Sequence, residues 1–546
     1  MVWRFFPASR SPDALWGFVA TLGRVHLHEL VATSEALRRT RSRREKVARL
    51  AATLRALTPD EVPHGVSWLG GGIRHGRIGV AWRGLRGVEE GKPATEASLT
   101  VAQVVEAFDA LAAADGPGSA RRRRELLGRL FARATAAERD FLERLLVGEL
   151  RQGANEGLVV EAVAQAAGVA LPSVRRAHMV SGDLGAVASA ALAGGEPALA
   201  PFRLELFRPL LPMLASPAAD VADALARLGR AAFEWKLDGV RVQVHKQGSE
   251  ARLYSRRLHE LSAAAPELVA WARALPAERL ILDVEALALA PGGAPHPFQV
   301  TMRRFGRRLD VDTMRRELPL APFAFDVLHL DGEDLLDAST ERRAQALAHA
   351  VPEPGRVPRL VTGDEDAAEA FYDAALARGH EGLMAKALDA PYAAGGRGRS
   401  WLKVKPAHTL DLVVLAAEWG SGRRRGWLSN LHLGARDPAT GGFVMLGKTF
   451  KGMTDALLAW QTEALLAREV ARDESTVHVR PDLVVEVALS GIQESPHYPA
   501  GMALRFARVR RYRPDKTPEE ADTLETVRRI HGGPAPQGRA WGSLRP

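Results

Sequence analysis

One stretch constrains the fold of this chain more than any other, and it reads FEWKLDGVR from Phe233 to Arg241. Apolar residues come before it, and the alternating residues that begin at Val240 predict a β-strand. Gly239 allows the backbone to turn sharply, which places the amine of Lys236 at a strand end. Taken alone, the tetrapeptide favours an ordinary surface hairpin, because Asp-Gly is the commonest hairpin turn signal.

A series of further motifs, in a defined order, changes that interpretation. The motifs are Tyr254-Ser255-Arg256-Arg257, Ile281-Leu282-Asp283-Val284-Glu285, Pro297-Phe298-Gln299, Phe325-Asp326, Glu381-Gly382-Leu383-Met384-Ala385-Lys386, Trp401-Leu402-Lys403-Val404-Lys405 and Arg513-Pro514-Asp515-Lys516. In this order they resemble the covalent nucleotidyltransferases, and more closely the ATP-dependent DNA ligases of the bacterial and archaeal type. Each motif is weak by itself, whereas the ordered set is highly specific. The resemblance extends over nearly the whole chain from His26 to Gly533.

Composition sets broad limits on the partners and the compartment. The formal net charge of +9 favours polyanions as partners, and the absence of cysteine excludes disulfides and thiolate zinc sites. No apolar run is long enough to span a membrane, and the segment before His26 lacks the apolar block of a signal peptide. We therefore expect a protein that has no export signal or membrane anchor and that acts in the cytoplasm at the nucleoid.

The texture of the sequence changes along the chain and predicts a multidomain fold. Apolar residues recur at helical spacing up to about Ala200, prolines interrupt the pattern from Leu206 to Pro217, and short β-rich runs alternate with helices after it. Beyond Leu410 the pattern changes to short strands with one helix, and a further helix is predicted from Pro518 to Ile530. We predict an all-α DNA-binding domain over 26–205, an α+β adenylation (nucleotidyltransferase) domain with antiparallel sheets over 206–408, and an OB-fold β-barrel over 409–533. Residues 1–25 would be an extension, either disordered or the product of a misassigned start codon, and 534–546 a flexible tail.

Lys236 is the residue that the resemblance assigns as the nucleophile. Its neutral amine would attack the α-phosphate of ATP, expel pyrophosphate and carry AMP on the side-chain nitrogen. The resemblance implies two further steps. AMP would pass to a 5′-phosphate of DNA, and the neighbouring 3′-hydroxyl would then displace it and seal the nick.

The base and ribose of ATP have three predicted ligands. Glu234 lies two residues before Lys236, so on a strand both side chains point to one face, and its carboxylate can accept from the adenine amine. Phe325 offers a ring for stacking on the base, although a phenylalanine in an apolar strand is also typical of core packing. Glu285 can bind the ribose hydroxyls or a metal ion.

The phosphates of ATP require cations, and five positions in or next to the motifs can supply them. Arginines can fork onto phosphate oxygens, and lysines can hold the α-phosphate as point charges. The predicted phosphate ligands are Arg241, Arg256, Arg399, Lys403 and Lys405.

Three phosphates also require a hard divalent cation, which we expect to be Mg²⁺ or Mn²⁺. Glu381 is the predicted direct ligand and Glu285 the second; outside this motif series, Glu381 would be interpreted as a solvated loop carboxylate. At the C-terminal end, Arg513, Asp515 and Lys516 carry charges that suit orientation of the leaving pyrophosphate. Charge at a barrel rim is otherwise typical of simple solvation.

The expected partner is nicked double-stranded DNA, bound by a monomer. The run Arg121-Arg122-Arg123-Arg124 fits phosphate contacts and equally fits a solvated helix face. An RNA ligase or another covalent nucleotidyltransferase is the nearest alternative, but the long helical N-terminal region and the terminal Arg513–Lys516 motif argue against it. A catalytically inactive DNA-binding scaffold is the alternative from a different class, although every reacting group is present.

Overall fold

The computed structural model describes residues 25–532, except 77, 81–83, 86–87, 89–91, 307–310, 395–396, 407 and 422–423. The predicted extension, apart from Val25, and the predicted tail lie outside the described residues. The chain forms two compact units. Unit one contains the described residues of Met1–Ser216, Asp238–Val357 and Leu388–Trp401, and unit two contains those of Pro217–Leu237, Pro358–Ala387 and Leu402–Pro546.

The helices are numbered here in chain order. They are α1 Leu27–Arg39, α2 Arg43–Ala56, α3 Val62–Leu69, α4 Val101–Ala113, α5 Ser119–Ala132, α6 Ala136–Leu146, α7 Glu156–Ala167, α8 Leu171–Ser181, α9 Leu184–Gly194, α10 Val221–Leu228, α11 Pro266–Ala274, α12 Phe298–Gly306, α13 Val311–Glu317, α14 Thr340–Ala350, α15 Glu365–Ala377, α16 Asp455–Leu466 and α17 Leu524–Gly532. In the described part of the chain, none of them is long and apolar enough to cross a membrane.

Among the described residues, the strands follow α9. They are β1 Leu214–Pro217, β2 Ala231–Trp235, β3 Val240–Gln247, β4 Glu250–Ser255, β5 Arg279–Ala288, β6 Leu320–Leu330, β7 Glu333–Asp334, β8 Arg359–Thr362, β9 Leu383–Ala387, β10 Arg397–Val404, β11 His408–Trp419, β12 Leu428–Arg436, β13 Phe443–Thr449, β14 Glu469–Arg472, β15 Thr476–Val479, β16 Val484–Leu489, β17 Gly491–Glu494, β18 Met502–Arg505 and β19 Arg508–Tyr512.

The N-terminal region of unit one is helical, as the sequence predicts. Helices α1–α9 enclose one apolar core in which Leu30, Leu50, Trp68 and Phe108 are fully buried. Local sequence defines where helices begin: Thr100 forms a capping box with Gln103 at the start of α4, and a similar box precedes α6. These capping boxes define the residues at which α4 and α6 begin.

The rest of unit one is organised around an antiparallel sheet with strand order β4-β3-β5-β6-β7. Alternate residues of β3 and β5, among them Val242, Val244, Leu280 and Leu282, point into a core shared with α11 and α14. This sheet confirms the predicted α+β architecture with antiparallel strands.

Unit two contains the strand that precedes Lys236. Strand β2 pairs antiparallel with β8 on one side and β9 on the other. Beyond β9 lies β10, whose end from Leu402 to Val404 belongs to this unit. Phe233, Leu383 and Leu402 are fully buried in one core with α10 and α15. This packing holds the ends of β2, β9 and β10 close together.

The C-terminal region of unit two is a sheet domain, as predicted. Its long strand β11 pairs with β12, β15 and β16, and the complete order is β13-β12-β11-β15-β14 with β16 joining β11 to β19. The pairings among the described strands leave this sheet open, so a closed barrel stays a prediction. The predicted helix from Pro518 to Ile530 is wrong in extent. A short 3₁₀ turn, Pro518–Glu520, is separated from α17 because Asp522 exchanges hydrogen bonds with Asp411 on β11.

A buried ion pair joins a helix to the sheet of unit one. Arg343 on α14 is fully buried, and its Nε lies 2.8 Å from Oδ1 of the equally buried Asp326 on β6. Its Nη1 also donates to the carbonyls of Ala338 and Ala390, at 2.6 and 3.2 Å. Asp326 follows Phe325, so this pair fixes the strand on which the predicted stacking ring stands.

We expect Arg343→Met to reduce the free energy of unfolding by about 3–5 kcal/mol, because it leaves the Asp326 carboxylate buried without its cation. The matched control is Arg342→Met, which removes an exposed partner of Glu333 and should cost no more than about 1 kcal/mol. Urea unfolding of both variants measures the difference. Similar losses in the two variants would contradict a structural role for the buried pair.

Candidate active site

Three of the predicted site residues meet in unit two. Lys236 Nζ and Lys405 Nζ each lie 2.5 Å from Oε2 of Glu381. The three side chains are partly exposed, at 23%, 24% and 15% of their full accessible area. Two ammonium groups therefore share one carboxylate oxygen at a surface that solvent reaches. We call these three residues the lysine–glutamate cluster.

Backbone hydrogen bonds explain how the cluster forms from distant motifs. The Lys236 N–H donates to the carbonyl of Gly382 at 2.8 Å, and the Glu381 N–H donates to the carbonyl of Lys236 at 2.9 Å. These two bonds continue the pairing of β2 with β9 by one residue. As a result, the side chains of Lys236 and Glu381 leave neighbouring backbones and meet.

Gly382 allows the third member to approach. Its φ is +132°, and a Cβ at this position would lie 2.2 Å from the carbonyl oxygen of Val404 and 3.2 Å from Cα of Lys405. Only glycine leaves room for that backbone, which delivers Lys405 to the cluster. The glycine of the Glu-Gly-Leu-Met-Ala-Lys motif thus has a packing reason within the site.

The charges of the cluster hold Glu381 ionised. Burial by itself would raise the pKa of Glu381, but the ammonium groups of Lys236 and Lys405 outweigh it and lower the pKa to about 2. Arg505 on β18 adds a further cation, with Nη2 3.9 Å from Oε1 of Glu381. The cluster and Arg505 thus provide an amine, cations that can bind an anion, and a carboxylate that can bind a hard cation.

Glu234 has ion pairs of its own. Its carboxylate is buried and lies 2.6 Å from Nζ of Lys386 and 3.7 Å from Nε of Arg359. Glu234 lies on β2, and Lys236 follows directly after the last residue of that strand, Trp235. That the two side chains share one face stays a prediction.

In unit one, Arg241 is held by protein groups. It donates through Nε and Nη2 to Asp283, through Nη1 to the carbonyl of Met213, and through Nη2 to the hydroxyl of Tyr392, at distances of 2.7–3.3 Å. Burial would lower the pKa of Arg241, but the Asp283 carboxylate raises it above the ordinary value. Its guanidinium carbon lies 5.2 Å from the ring centroid of the half-buried Phe325.

Other predicted ligands are more exposed. Arg256 follows β4, and Arg399 and Lys403 lie on β10; the two arginines are exposed and Lys403 is half-buried. Glu285 on β5 accepts the Gly239 N–H at 3.1 Å, which ties it to the turn after Lys236. Among the residues that the structure describes, no group of three His, Asp or Glu side chains has the arrangement of a metal site.

Arg513, Asp515 and Lys516 form a separate network around Asp411. Arg513 Nη1 and Lys516 Nζ lie 2.9 and 2.6 Å from Oδ2 of Asp411, and Arg513 Nη2 lies 2.7 Å from Asp515. The hydrogen bond from Arg513 lowers the pKa of Asp515 to about 2. The three predicted residues are therefore brought together with each other, through an aspartate that sequence reasoning did not single out.

Sequence reasoning also missed Lys386, Arg359, Tyr392 and Arg505. Lys386 ends the Glu381–Lys386 motif, so its position in that motif was an available signal. Nothing in the local sequence marks Arg359 or Tyr392, because their partners lie far away along the chain.

Most of the chain is similar to known proteins. Three family descriptions match it: "DNA ligase N terminus" over 85–164, "ATP dependent DNA ligase domain" over 212–405, and "ATP dependent DNA ligase C terminal region" over 424–516. A "Probable DNA ligase" of Anaeromyxobacter sp. (strain Fw109-5) is 61% identical over 93% of this chain and 98% of its own. Another, of Anaeromyxobacter dehalogenans (strain 2CP-1 / ATCC BAA-258), is 60% identical over 93% of this chain and 100% of its own. A solved structure named "Pmar-Lig_Pre." is similar in fold, with a TM-score of 0.63 and 18% identity over 89% of this chain and 99% of that one.

The lowered pKa of Glu381 predicts how the cluster contributes to stability. Because the folded chain holds this pKa at about 2, below its ordinary 4.5, the cluster stabilises the fold fully above pH 4.5 and loses this contribution as the pH falls towards 2. Glu381→Gln should cost roughly 3 kcal/mol near neutral pH, and less than half of that at about pH 3.

Urea unfolding of both proteins at the two pH values measures this difference. The control is Glu333→Gln, which loses an exposed pair with Arg342 and should change the unfolding free energy by no more than about 1 kcal/mol at either pH. A cost of Glu381→Gln that does not vary with pH would contradict the ionic origin of the stabilisation.

Proposed function

This chain belongs to the family of ATP-dependent DNA ligases, and from this we propose that it seals nicks in duplex DNA with Lys236 as the residue that carries AMP. The observation that carries the proposal is the position of the Lys236 amine, 2.5 Å from a carboxylate that it shares with Lys405. An amine for covalent catalysis and a second cation for phosphate thus lie at one place.

The cluster supports attack on the α-phosphate. Lys236 must react as a neutral amine, so its ion pair with Glu381 has to break before the amine attacks the phosphate. Lys405 supplies a second cation at the same carboxylate, which attracts the phosphate. The bond from nitrogen to the α-phosphorus then forms as the bond to pyrophosphate breaks. AMP next passes to the DNA 5′-phosphate, and the 3′-hydroxyl displaces it.

Glu381 also fits a role as a ligand of Mg²⁺ or Mn²⁺, with Glu285 as the second candidate. Magnesium is commonly bound through one or two carboxylates together with substrate phosphates, so a site with few protein ligands is ordinary for it. When bound, the cation would neutralise phosphate charge. Glu381 would then bind the cation instead of its two ammonium partners. This exchange would also release the amine of Lys236.

The other residues proposed to bind the nucleotide have separate roles. Glu234 would accept from the adenine amine, Phe325 would stack on the base, and Glu285 would bind the ribose. Arg241 directs at least four N–H groups at protein partners, so its contribution to phosphate binding would be its charge rather than a forked hydrogen bond. Further phosphate contacts would come from Arg256, Arg399 and Lys403.

Nicked DNA is the substrate that we propose, bound by a monomer with the helical region over 26–205. Within the arginine run on α5, Arg123 donates to the carbonyls of Leu111 and Ala114, and Arg121 pairs with Glu125 while it stays largely exposed. One arginine of the run is thus structural, whereas the exposed ones suit phosphates. We also propose that the sheet domain over 409–533 is an OB-fold barrel.

We predict that Lys236→Ala and Lys236→Arg both abolish the covalent adduct with AMP. The arginine variant keeps a cation beside Glu381 and lacks a nucleophilic amine, so it separates charge from chemistry. The measurement is transfer of label from α-labelled ATP to protein on a denaturing gel, with labelled GTP in parallel. A persistent adduct in either variant would rule out Lys236. Transfer from GTP instead of ATP would favour a guanylyltransferase, and no transfer to the native chain would favour an inactive scaffold.

The network around Asp411 leads to a second test. Orientation of pyrophosphate matters only while ATP reacts, so Lys516→Ala should slow adenylation of Lys236 at least tenfold while sealing of a nick that already carries 5′-AMP stays within about threefold. Single-turnover kinetics on both reactions measure this. Arg511→Ala is the control, because Arg511 is an exposed cation nearby that pairs with Glu486 rather than Asp411. Equal slowing of both reactions by Lys516→Ala would contradict a role confined to the ATP step.

A further inference from the structure

Glu234 lies between two cations on the neighbouring strands of unit two. In the sheet register, Glu234 stands opposite Arg359 on β8 and opposite Met384 on β9. Lys386 is two residues beyond Met384, so it is the diagonal neighbour of Glu234 on the same face. Lysine and glutamate side chains reach each other readily in that arrangement.

The two cations make different contacts with the carboxylate. Lys386 Nζ lies 2.6 Å from Oε2, at hydrogen-bond distance, and the Lys386 and Glu234 side chains are only 2% and 7% exposed. Arg359 Nε lies 3.7 Å from Oε1, which is too far for a hydrogen bond. Within the described structure, Arg359 Nε and Nη2 are buried and form no hydrogen bond. Lys386 is thus the cation that fixes the orientation of Glu234.

Burial of the Glu234–Lys386 ion pair costs free energy, because both charged groups lose contact with water. An ionised carboxylate that is nearly removed from water needs a cation and hydrogen bonds to remain charged, and without them it is strongly destabilised. A lysine that loses almost all its solvent-exposed area also gives up hydration and side-chain freedom. A pair of this kind does little for stability in comparison with apolar residues. Its clearest benefit is a carboxylate of defined charge and direction.

We infer that Lys386 is a positioning residue for nucleotide selection, and this inference depends on the proposed function. Its ammonium pairs with the Glu234 carboxylate and sets its direction, so that the carboxylate accepts from the exocyclic amine of adenine. A purine with a carbonyl at the same carbon presents an acceptor to an acceptor and is rejected. Lys386 therefore acts on base selection through Glu234, without contact with the base.

The test compares three nucleotides in formation of the lysyl adduct: ATP, inosine triphosphate, which has a carbonyl in place of the amine, and purine riboside triphosphate, which has hydrogen there. In Lys386→Met, kcat/KM for ATP should fall about tenfold to a hundredfold, mainly through KM, because a hydrogen bond to a charged acceptor is weakened. Purine riboside triphosphate, which lacks the amine, should change less than about threefold. The preference for ATP over inosine triphosphate should shrink accordingly.

Two further variants sharpen the comparison. Arg359→Met removes the more distant cation and should reduce the preference for ATP less than Lys386→Met does. In a Glu234→Gln background, Lys386→Met should have little additional effect, because a residue that acts through Glu234 loses its action with the carboxylate. If Lys386→Met fails to fold, Lys386→Gln retains a donor and should shift selectivity in the same direction by a smaller factor.

Distinct results overturn the inference and the proposed function. An equal loss for all three nucleotides in Lys386→Met, or additive effects in the Glu234→Gln background, would assign Lys386 a purely structural role and leave the adduct on Lys236 in place. Absence of an adduct from the native chain would overturn the proposed function, and the inference with it. Lys246→Met provides the stability control, since Lys246 is a comparably buried lysine that donates to the Leu275 carbonyl rather than to a carboxylate.

Discussion

The shared carboxylate of Glu381 is the interaction on which the site depends. It requires that the end of β2, the residues before β9 and the end of β10 meet within a few ångströms, and two backbone hydrogen bonds and the glycine at position 382 make this possible. Two like charges would repel each other at this spacing, so the carboxylate both neutralises them and sets their separation. In the proposed reaction, substrate phosphates, which carry the same sign as that carboxylate, would replace it.

Buried ionic contacts recur beside the residues with proposed roles. In unit one, Asp326 is held by Arg343, and Asp283 is held by Arg241 and Tyr392. In unit two, Glu234 is held by Lys386. Such pairs add little net stability, because desolvation offsets much of the attraction. Their common effect is to define side-chain direction on strands that carry residues with proposed roles, which a purely apolar core would leave less specified.

The motif at the C-terminal end forms its own network of ion pairs. Arg513, Asp515 and Lys516 are bound to each other and to Asp411, and the described ion pairs do not connect them to the lysine–glutamate cluster. Asp411 and Arg513 are mostly buried in this network, whereas Asp515 and Lys516 are partly exposed, and exposed ion pairs are weak and exchange partners easily. Such a set is suited to transient contact with a charged group in one step of a reaction, rather than to permanent support of the nucleophile.

Sequence alone was sufficient for the helical N-terminal region, the antiparallel sheets, the position of Lys236 at a strand end and the family, because apolar periodicity and motif order are local properties. It also identified Glu381 and Lys405, which meet Lys236. Only the tertiary structure decided that Arg241 is held by Asp283 and Tyr392, that Asp411 organises the C-terminal motif, that Asp522 divides the last helix, and that Glu234 pairs with Lys386. These partners are separated by up to about 150 residues, as with Arg241 and Tyr392. The alternation of residues along a strand predicts which face a side chain occupies. The ionic partner of that side chain depends on which distant strand lies beside its own strand.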